Sequence, residues 1–157
     1  MSIPGSYVAL DVGQARIGVA RSCADAFVAL AVKTLAVQPD GSELDELVAM
    51  IADFEAAAVF VGLPRLLSGR EGAAARMARS YAKRLAKRLG SVEVRLVDER
   101  LTSVSSHRKL RTAGVATKRH KEMVDQVAAC EILDQVLQIL STASASSQEM
   151  PGELVMI

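Results

Sequence analysis

The sequence is poor in residues that would place it in several common protein classes. Cys23 and Cys130 are the only cysteines in 157 residues. They cannot build a disulfide framework, and neither has a Cys or His neighbour at zinc-ligand spacing. Two thiols suit a reducing compartment, so a cytoplasmic protein is expected. Aromatics make up 3% of the chain and do not interleave with basic residues, which leaves base stacking a minor part of any nucleic-acid binding. Charges or glycines interrupt every apolar stretch, and Met1-Ser2-Ile3-Pro4-Gly5-Ser6 has no basic region followed by a long apolar run. Neither a membrane span nor a leader is expected. His107 and His120 sit among basic residues without an acid or Ser at triad spacing, which disfavours nucleophilic triad chemistry.

What is present is ordinary globular composition with an uneven charge. Half the residues are hydrophobic and 24% are charged, enough for one domain with its own core. The net charge of +1 conceals an asymmetry. Residues 76–121 hold 14 Lys or Arg against three acids, Glu93, Asp98 and Glu99, whereas the rest of the chain holds five Lys or Arg against 15 acids. A one-sided density of this size favours a surface facing a polyanion over a merely solvated one.

Residues 7–12 form a short run of β-formers, Gly13 follows as a turn residue, and Ile17-Gly18-Val19-Ala20 returns, which together predict a hairpin. A third strand is expected over 28–35. Pro39-Asp40-Gly41 then breaks the pattern, and Ser42 offers an N-cap for a helix to about residue 55. Residues 58–63 are continuously apolar and stopped by Pro64, as in a strand covered on both faces. A helix with the stripe Ala74, Met77, Ala78, Tyr81, Ala82, Leu85 and Leu89 is closed by Gly90. Its other face carries Arg76, Arg79, Lys83, Arg84, Lys87 and Arg88 without an acid. A fifth strand over 92–97 ends at Asp98-Glu99-Arg100, a helix capped by Thr102 reaches Gly114, and a final helix spans about 118–140 with Val124, Val127, Ala128, Ile132, Val136, Leu137 and Leu140 inward. The order predicts an α/β fold in which helices flank a five-stranded mixed sheet. Residues 1–140 make the domain, and the Ser-rich stretch 141–157 reads as a flexible tail.

Three acids stand out against this frame. Asp11 lies inside an apolar strand, where a carboxylate costs desolvation unless metal or hydrogen bonds compensate, although turn chemistry beside Gly13 is an equal reading. Asp98 and Glu99 end another strand, and strand carboxyl ends are where ligands gather in parallel crossover sheets. Neighbours on a strand point oppositely, so at most one of the pair faces Asp11. Asp125 borders the buried stripe of the last helix, with Ala128 and Ala129 small enough to let that helix approach the sheet. Converging carboxylates repel, and Mg²⁺ or Mn²⁺ would reconcile them. Two such ions can drive in-line displacement at phosphorus without a side-chain nucleophile.

These residues resemble the YqgF or RuvX family of Holliday-junction-resolvase-like nucleases, related in fold to RuvC and ribonuclease H. The likeness covers about residues 7–140. It is carried by Leu10-Asp11-Val12-Gly13 with Arg16-Ile17-Gly18-Val19-Ala20, by Val61-Gly62-Leu63-Pro64, by Gly69-Arg70-Glu71-Gly72, by Asp98-Glu99-Arg100-Leu101-Thr102, and by Lys121-Glu122-Met123-Val124-Asp125 with Ala128-Ala129. Ser68 stands where the family often has Asp, and Gln14 replaces a more usual small hydroxyl or basic residue. The resemblance implies a ribonuclease H-like fold and the acidic triad Asp11, Glu99 and Asp125 as catalytic residues and metal ligands, which selects Glu99 over Asp98. It also implies trimming of the small-subunit ribosomal RNA precursor at its 5′ end, or cleavage of a four-way DNA junction. Nucleic acid is then expected to meet Arg16, Arg76, Arg79, Lys83, Lys87, Arg100, Arg108, Lys118, Arg119 and Lys121. Symmetric cutting of a junction would need two sites and hence a homodimer. One rival is a non-catalytic RNA- or DNA-binding module of the same fold. The other is an actin-like ATP-binding fold, for which the chain is too short and lacks a second phosphate loop.

Overall fold

The computed structural model of the chain describes residues 6–23, 28–64, 66, 68–99, 118–143 and 154–156. Its order is β1 (Ser6–Val12), β2 (Arg16–Ser22), β3 (Ala29–Ala36), α1 (Ser42–Asp53), β4 (Ala56–Leu63), α2 (Ala73–Leu89), β5 (Glu93–Asp98), α3 (Lys118–Ala143) and β6 (Leu154–Met156). The sheet runs β3-β2-β1-β4-β5-β6. β1 pairs antiparallel with β2 and parallel with β4, β2 pairs antiparallel with β3, and β4 pairs parallel with β5. The five expected strands thus make a mixed sheet. The expected helix from Thr102 to Gly114 falls outside the described residues.

β1 is central and buried along its whole length, so its alternating side chains supply two cores. Val8, Leu10 and Val12 face Leu44, Leu47 and Ile51 of α1 and Ala78, Tyr81 and Leu85 of α2. Tyr7 and Ala9 face Ala128, Ala129, Ile132, Leu133 and Val136 of α3. The sheet is therefore the middle layer, with α1 and α2 on one side and α3 on the other.

Several local expectations shift. Gly41, with φ +76°, and not Ser42, is the N-cap of α1, and no side chain caps that helix end. Asp40 Oδ1 instead accepts the Ser42 N–H at 3.0 Å, and Glu43 Oε2 accepts that of Gln38 at 3.1 Å. These bonds tie down the turn while Gly41 supplies the left-handed conformation. In α2, Ala74 is exposed and Ala75 takes the inward position. In α3, Val127 is exposed, and the buried row is Asp125, Ala128, Ala129, Ile132, Leu133, Val136 and Leu137. Asp125 extends that row by one turn at the same three-four spacing, three residues before Ala128 and four before Ala129. Reading the stripe by hydrophobicity admitted Val127 and left Asp125 at the border. The tail differs as well: Leu154–Met156 pairs antiparallel with β5 through Arg95–Met156, Leu96–Val155 and Val97–Leu154. A three-residue apolar strand is too short to carry a periodic signal, but it covers an edge that β5 would otherwise expose.

Candidate nuclease site

Asp11 lies near the carboxyl end of β1, on the side of the sheet facing α3, and is only 1% exposed. Its partner across the hairpin is Gly18. On the other side β1 runs beside β4, and Asp11 stands one residue past the Leu10–Val61 pair, level with Gly62. A glycine therefore flanks Asp11 on each neighbouring strand. Each admits another acid. A Cβ on Gly18 would collide with the Asp125 carbonyl oxygen and lie 3.1 Å from the Asp125 Cβ. A Cβ on Gly62 would collide with the Glu99 carboxylate and lie 2.6 Å from Ile132 Cδ1. The missing side chains thus let Asp125 settle over β2 and Glu99 over β4, on either side of Asp11. Glu99 and Asp125 are as fully buried as Asp11.

The choice between Asp98 and Glu99 follows from the register of β5. Asp98 pairs with Leu63 and is half-buried. It alternates with Val94 and Leu96, which belong to the α1–α2 core, whereas Glu99 follows Val97, which belongs to the α3 core. Glu99 therefore shares a side of the sheet with Asp11, and Asp98 does not.

Asp125 is held by several contacts. Arg16 Nε lies 2.7 Å from its Oδ2. One turn earlier in α3, the Thr34 hydroxyl donates to the Glu122 carbonyl at 2.8 Å, and Gln126 Nε2 donates to Thr34 Oγ1 at 3.3 Å. These bonds tie the first turns of α3 to β3. Among the described residues, no three Asp, Glu, His or Cys side chains already close on one point at metal-ligand geometry. The three carboxylates share one side of the sheet as hard oxygen donors, a set chemically suited to Mg²⁺ or Mn²⁺.

The basic residues divide between the two sides of the sheet. Arg16 stands at the acidic site, engaged with Asp125. Lys118, Arg119 and Lys121 lie in the first turn of α3, on the carboxylate side. Arg100 and Arg108 fall outside the described residues. Arg76, Arg79, Lys83 and Lys87 belong to α2, which packs on the opposite side. The α2 helix has no acid of its own to pair with these residues, and the acids that do pair come from outside it. Arg79 pairs with Glu71, Arg88 Nη2 lies 2.7 Å from Asp45 Oδ1, and Arg84 stacks over the Tyr81 ring at 4.8 Å. Arg76, Lys83 and Lys87 remain exposed.

Gly18 and Gly62 are the positions that sequence reasoning used only as parts of motifs. Their signal was available: a glycine inside an apolar strand marks a close approach of another backbone or group. Cys130 plays no part in the site. Half-burial pushes its thiol pKa up, with Asp134 and Glu131 adding to the effect, so the thiol stays protonated.

Comparison with known proteins identifies the family. The family described as "RuvX: Holliday junction resolvase" matches residues 5–139. A protein of Thermobifida fusca (strain YX) named "Putative pre-16S rRNA nuclease" is 44% identical, with 96% of each chain covered. One of the same name from Mycobacterium tuberculosis (strain ATCC 25618 / H37Rv) is 45% identical, over 92% of this chain and 85% of that one. Among solved structures, Thermus thermophilus RuvC in complex with a Holliday junction substrate superposes with a TM-score of 0.54 at 16% identity, covering 98% of this chain and 99% of that one. That likeness extends to the fold alone, whereas the family match spans most of the residues that build the sheet and all three buried acids. The chain belongs to the RuvX family of Holliday junction resolvases.

Proposed function

We propose that the protein is a cytoplasmic, divalent-metal-dependent nuclease that hydrolyses phosphodiester bonds in structured nucleic acid, with the 5′ end of the 16S ribosomal RNA precursor as its principal target. The observation that carries this reading is the burial of Asp11, Glu99 and Asp125 on one side of the sheet, with Gly18 and Gly62 making room for the outer two. Burying three acids together is costly, and a structural role alone would be served at less cost by apolar residues. The names of the relatives support the substrate: both are named "Putative pre-16S rRNA nuclease".

In this reading Asp11, Glu99 and Asp125 hold the ion or ions. Held by these three carboxylates, a divalent ion would supply activation of the attacking water and would offset charge on the leaving oxygen. The chain's own part is to fix the donors. β1 presents Asp11 from a rigid central strand, the end of β5 presents Glu99 beside Gly62, and α3 presents Asp125 against Gly18. Lys118, Arg119 and Lys121 border the same side and would meet backbone phosphates, reading charge and shape without bases. No helix among the described residues is long and apolar enough to cross a membrane.

A four-way DNA junction is the second substrate, favoured by the family description, and would require a homodimer to cut both strands symmetrically. The deciding experiment incubates the purified protein with Mg²⁺ or Mn²⁺ on a 5′-extended 16S precursor and on a junction side by side, with and without chelator. Cleavage of the precursor that stops in chelator is expected. Binding that persists in chelator, with no cleavage under any condition, would leave a binding module of this fold.

A further inference from the structure

Asp125 and Arg16 form an ion pair whose two halves are held very differently. The carboxylate is fixed: its side chain is 2% exposed, its backbone lies against Gly18, and the hydrogen bonds through Thr34 anchor the turn around it. The guanidinium is not fixed in the same way. Arg16 is the first residue of β2, at the same end of the sheet as the carboxyl ends of β1, β4 and β5, and 26% of its side chain is open to solvent. Arginine stays charged at any working pH, so protonation does not switch this contact. What can change it is competition, because a buried carboxylate needs a cation and a guanidinium and a divalent ion both meet that need at the same oxygen.

We propose that Arg16 is a displaceable counter-cation for Asp125, satisfying the buried carboxylate until a divalent ion takes its Oδ2 and moving aside when it does. The inference rests on the metal-dependent reading above and makes Arg16 a positioning residue that acts through Asp125. Its role is to keep a preformed acidic site from collapsing or unfolding when empty, at the cost of weaker ion binding.

The test is calorimetric titration of Mn²⁺ into the full chain carrying no change, Arg16→Gln, Asp125→Asn, or both. Arg16→Gln is expected to bind Mn²⁺ about tenfold more tightly, a coupling of the size seen between residues in contact. In the Asp125→Asn background the same change should leave the affinity within about twofold, because the competitor then has nothing to release. Equal or weaker binding by Arg16→Gln would overturn the proposal, since the guanidinium would then support the loaded site. An equal gain in the Asp125→Asn background would also overturn it, reducing the effect to repulsion between cations at a distance. Thermal melting gives a second reading: Arg16→Gln should melt below the parent without Mn²⁺, and the gap should close at saturating Mn²⁺. A gap that persists unchanged would contradict displacement. If Arg16→Gln does not fold, Arg16→Lys should show the same signs with a smaller gain. No Mn²⁺ binding by the unmodified chain would instead overturn the metal reading, and this inference with it.

Discussion

On the side of the sheet under α1 and α2, the core is made mostly of aliphatic side chains, among them Val8, Leu10, Val12, Ile17, Val19, Leu44, Leu47, Ile51 and Leu85, with Ala75, Ala78 and Ala82 of α2. Under α3 the layer combines Tyr7, Phe60, Ile132, Leu133 and Val136 with Ala9, Ala20, Ala58, Ala128 and Ala129, and Gly18 and Gly62 stand in the strands beside it. The small residues let α3 approach close enough for its backbone to touch β2. The same strands thus build an apolar core on one side and, on the other, a layer that thins at Gly18 and Gly62, where three carboxylates find room. Basic residues lie on both sides: α2 carries its row across the sheet from the acids, whereas Arg16 and the α3 helix lie on the side of the acids. If the three acids do the cutting, the substrate must engage the thin side, and α2 can meet it around an edge or through a second segment.

The sharpest way to break this comparison is to remove an acid from the thin side. Asp11→Asn keeps volume and removes one ligand charge, so cleavage should fall by at least about a hundredfold, since even partners behind a metal ligand cost 10–100-fold. Nucleic-acid binding and melting should be retained. Glu99→Gln should behave alike. Initial rates against Mg²⁺ concentration, with melting as the folding control, measure both, and full activity in either variant would remove that acid from the site.

Next come the glycines that make the layer thin. Gly18→Ala should destabilise the fold by about 1–3 kcal/mol, as overpacking does, because its methyl group meets the backbone of α3, which cannot rotate away. Gly62→Ala meets side-chain ends, those of Glu99 and Ile132, and should cost less stability while displacing the Glu99 carboxylate. Chemical denaturation of the two variants gives the order. If Gly62→Ala proves the more damaging to stability, the backbone of α3 is not fixed against β2 at Gly18.

Much of this was legible in the sequence because it depends on local pattern. Strand and helix order follow from apolar periodicity, and the opposite orientation of Asp98 and Glu99 follows from strand geometry. Which of the two faces Asp11 depends on the register of β5 against β4, a long-range property that only the resemblance supplied beforehand. The place of Asp125 inside the buried row escaped a hydrophobic reading because the residue is polar, and Val127 was drawn in because it is not. Gly18 and Gly62 showed that something comes close, but not what. The pairing of Arg16 with Asp125 spans 109 residues, and no local rule could find it.

A smaller effect is expected on the α1–α2 side. Changing Arg76, Lys83 and Lys87 together to Gln removes three exposed α2 cations that stand outside these ion pairs, leaving Arg79 with Glu71, Arg88 with Asp45 and Arg84 over the Tyr81 ring. If RNA reaches α2, binding should weaken and the slope of log affinity against log salt should shrink by about two to three, one contact for each lost phosphate. The cleavage rate at saturating substrate should hold, because the helix lies across the sheet from the acids. An unchanged slope would make this face a solvated one, and a lost rate at saturation would mean that the two sides are coupled.

The smallest effect should come from Asp98, one residue from Glu99 and on the other side of the sheet. Asp98 is half-buried at the end of β5, level with Leu63, and its alternation follows Val94 and Leu96 into the α1–α2 side. Asp98→Asn keeps shape and hydrogen-bonding capacity while removing a charge that is not directed at Asp11. Its loss should cost about 1 kcal/mol or less, like that of other partly exposed ionic contacts, and the Mg²⁺ dependence of cleavage should stay that of the parent. The pair of neighbours is therefore a register test with two outcomes of opposite sign. If Asp98→Asn is inactive while Glu99→Gln cuts normally, β5 must be shifted by one residue against β4, and the residue beside Gly62 is not Glu99.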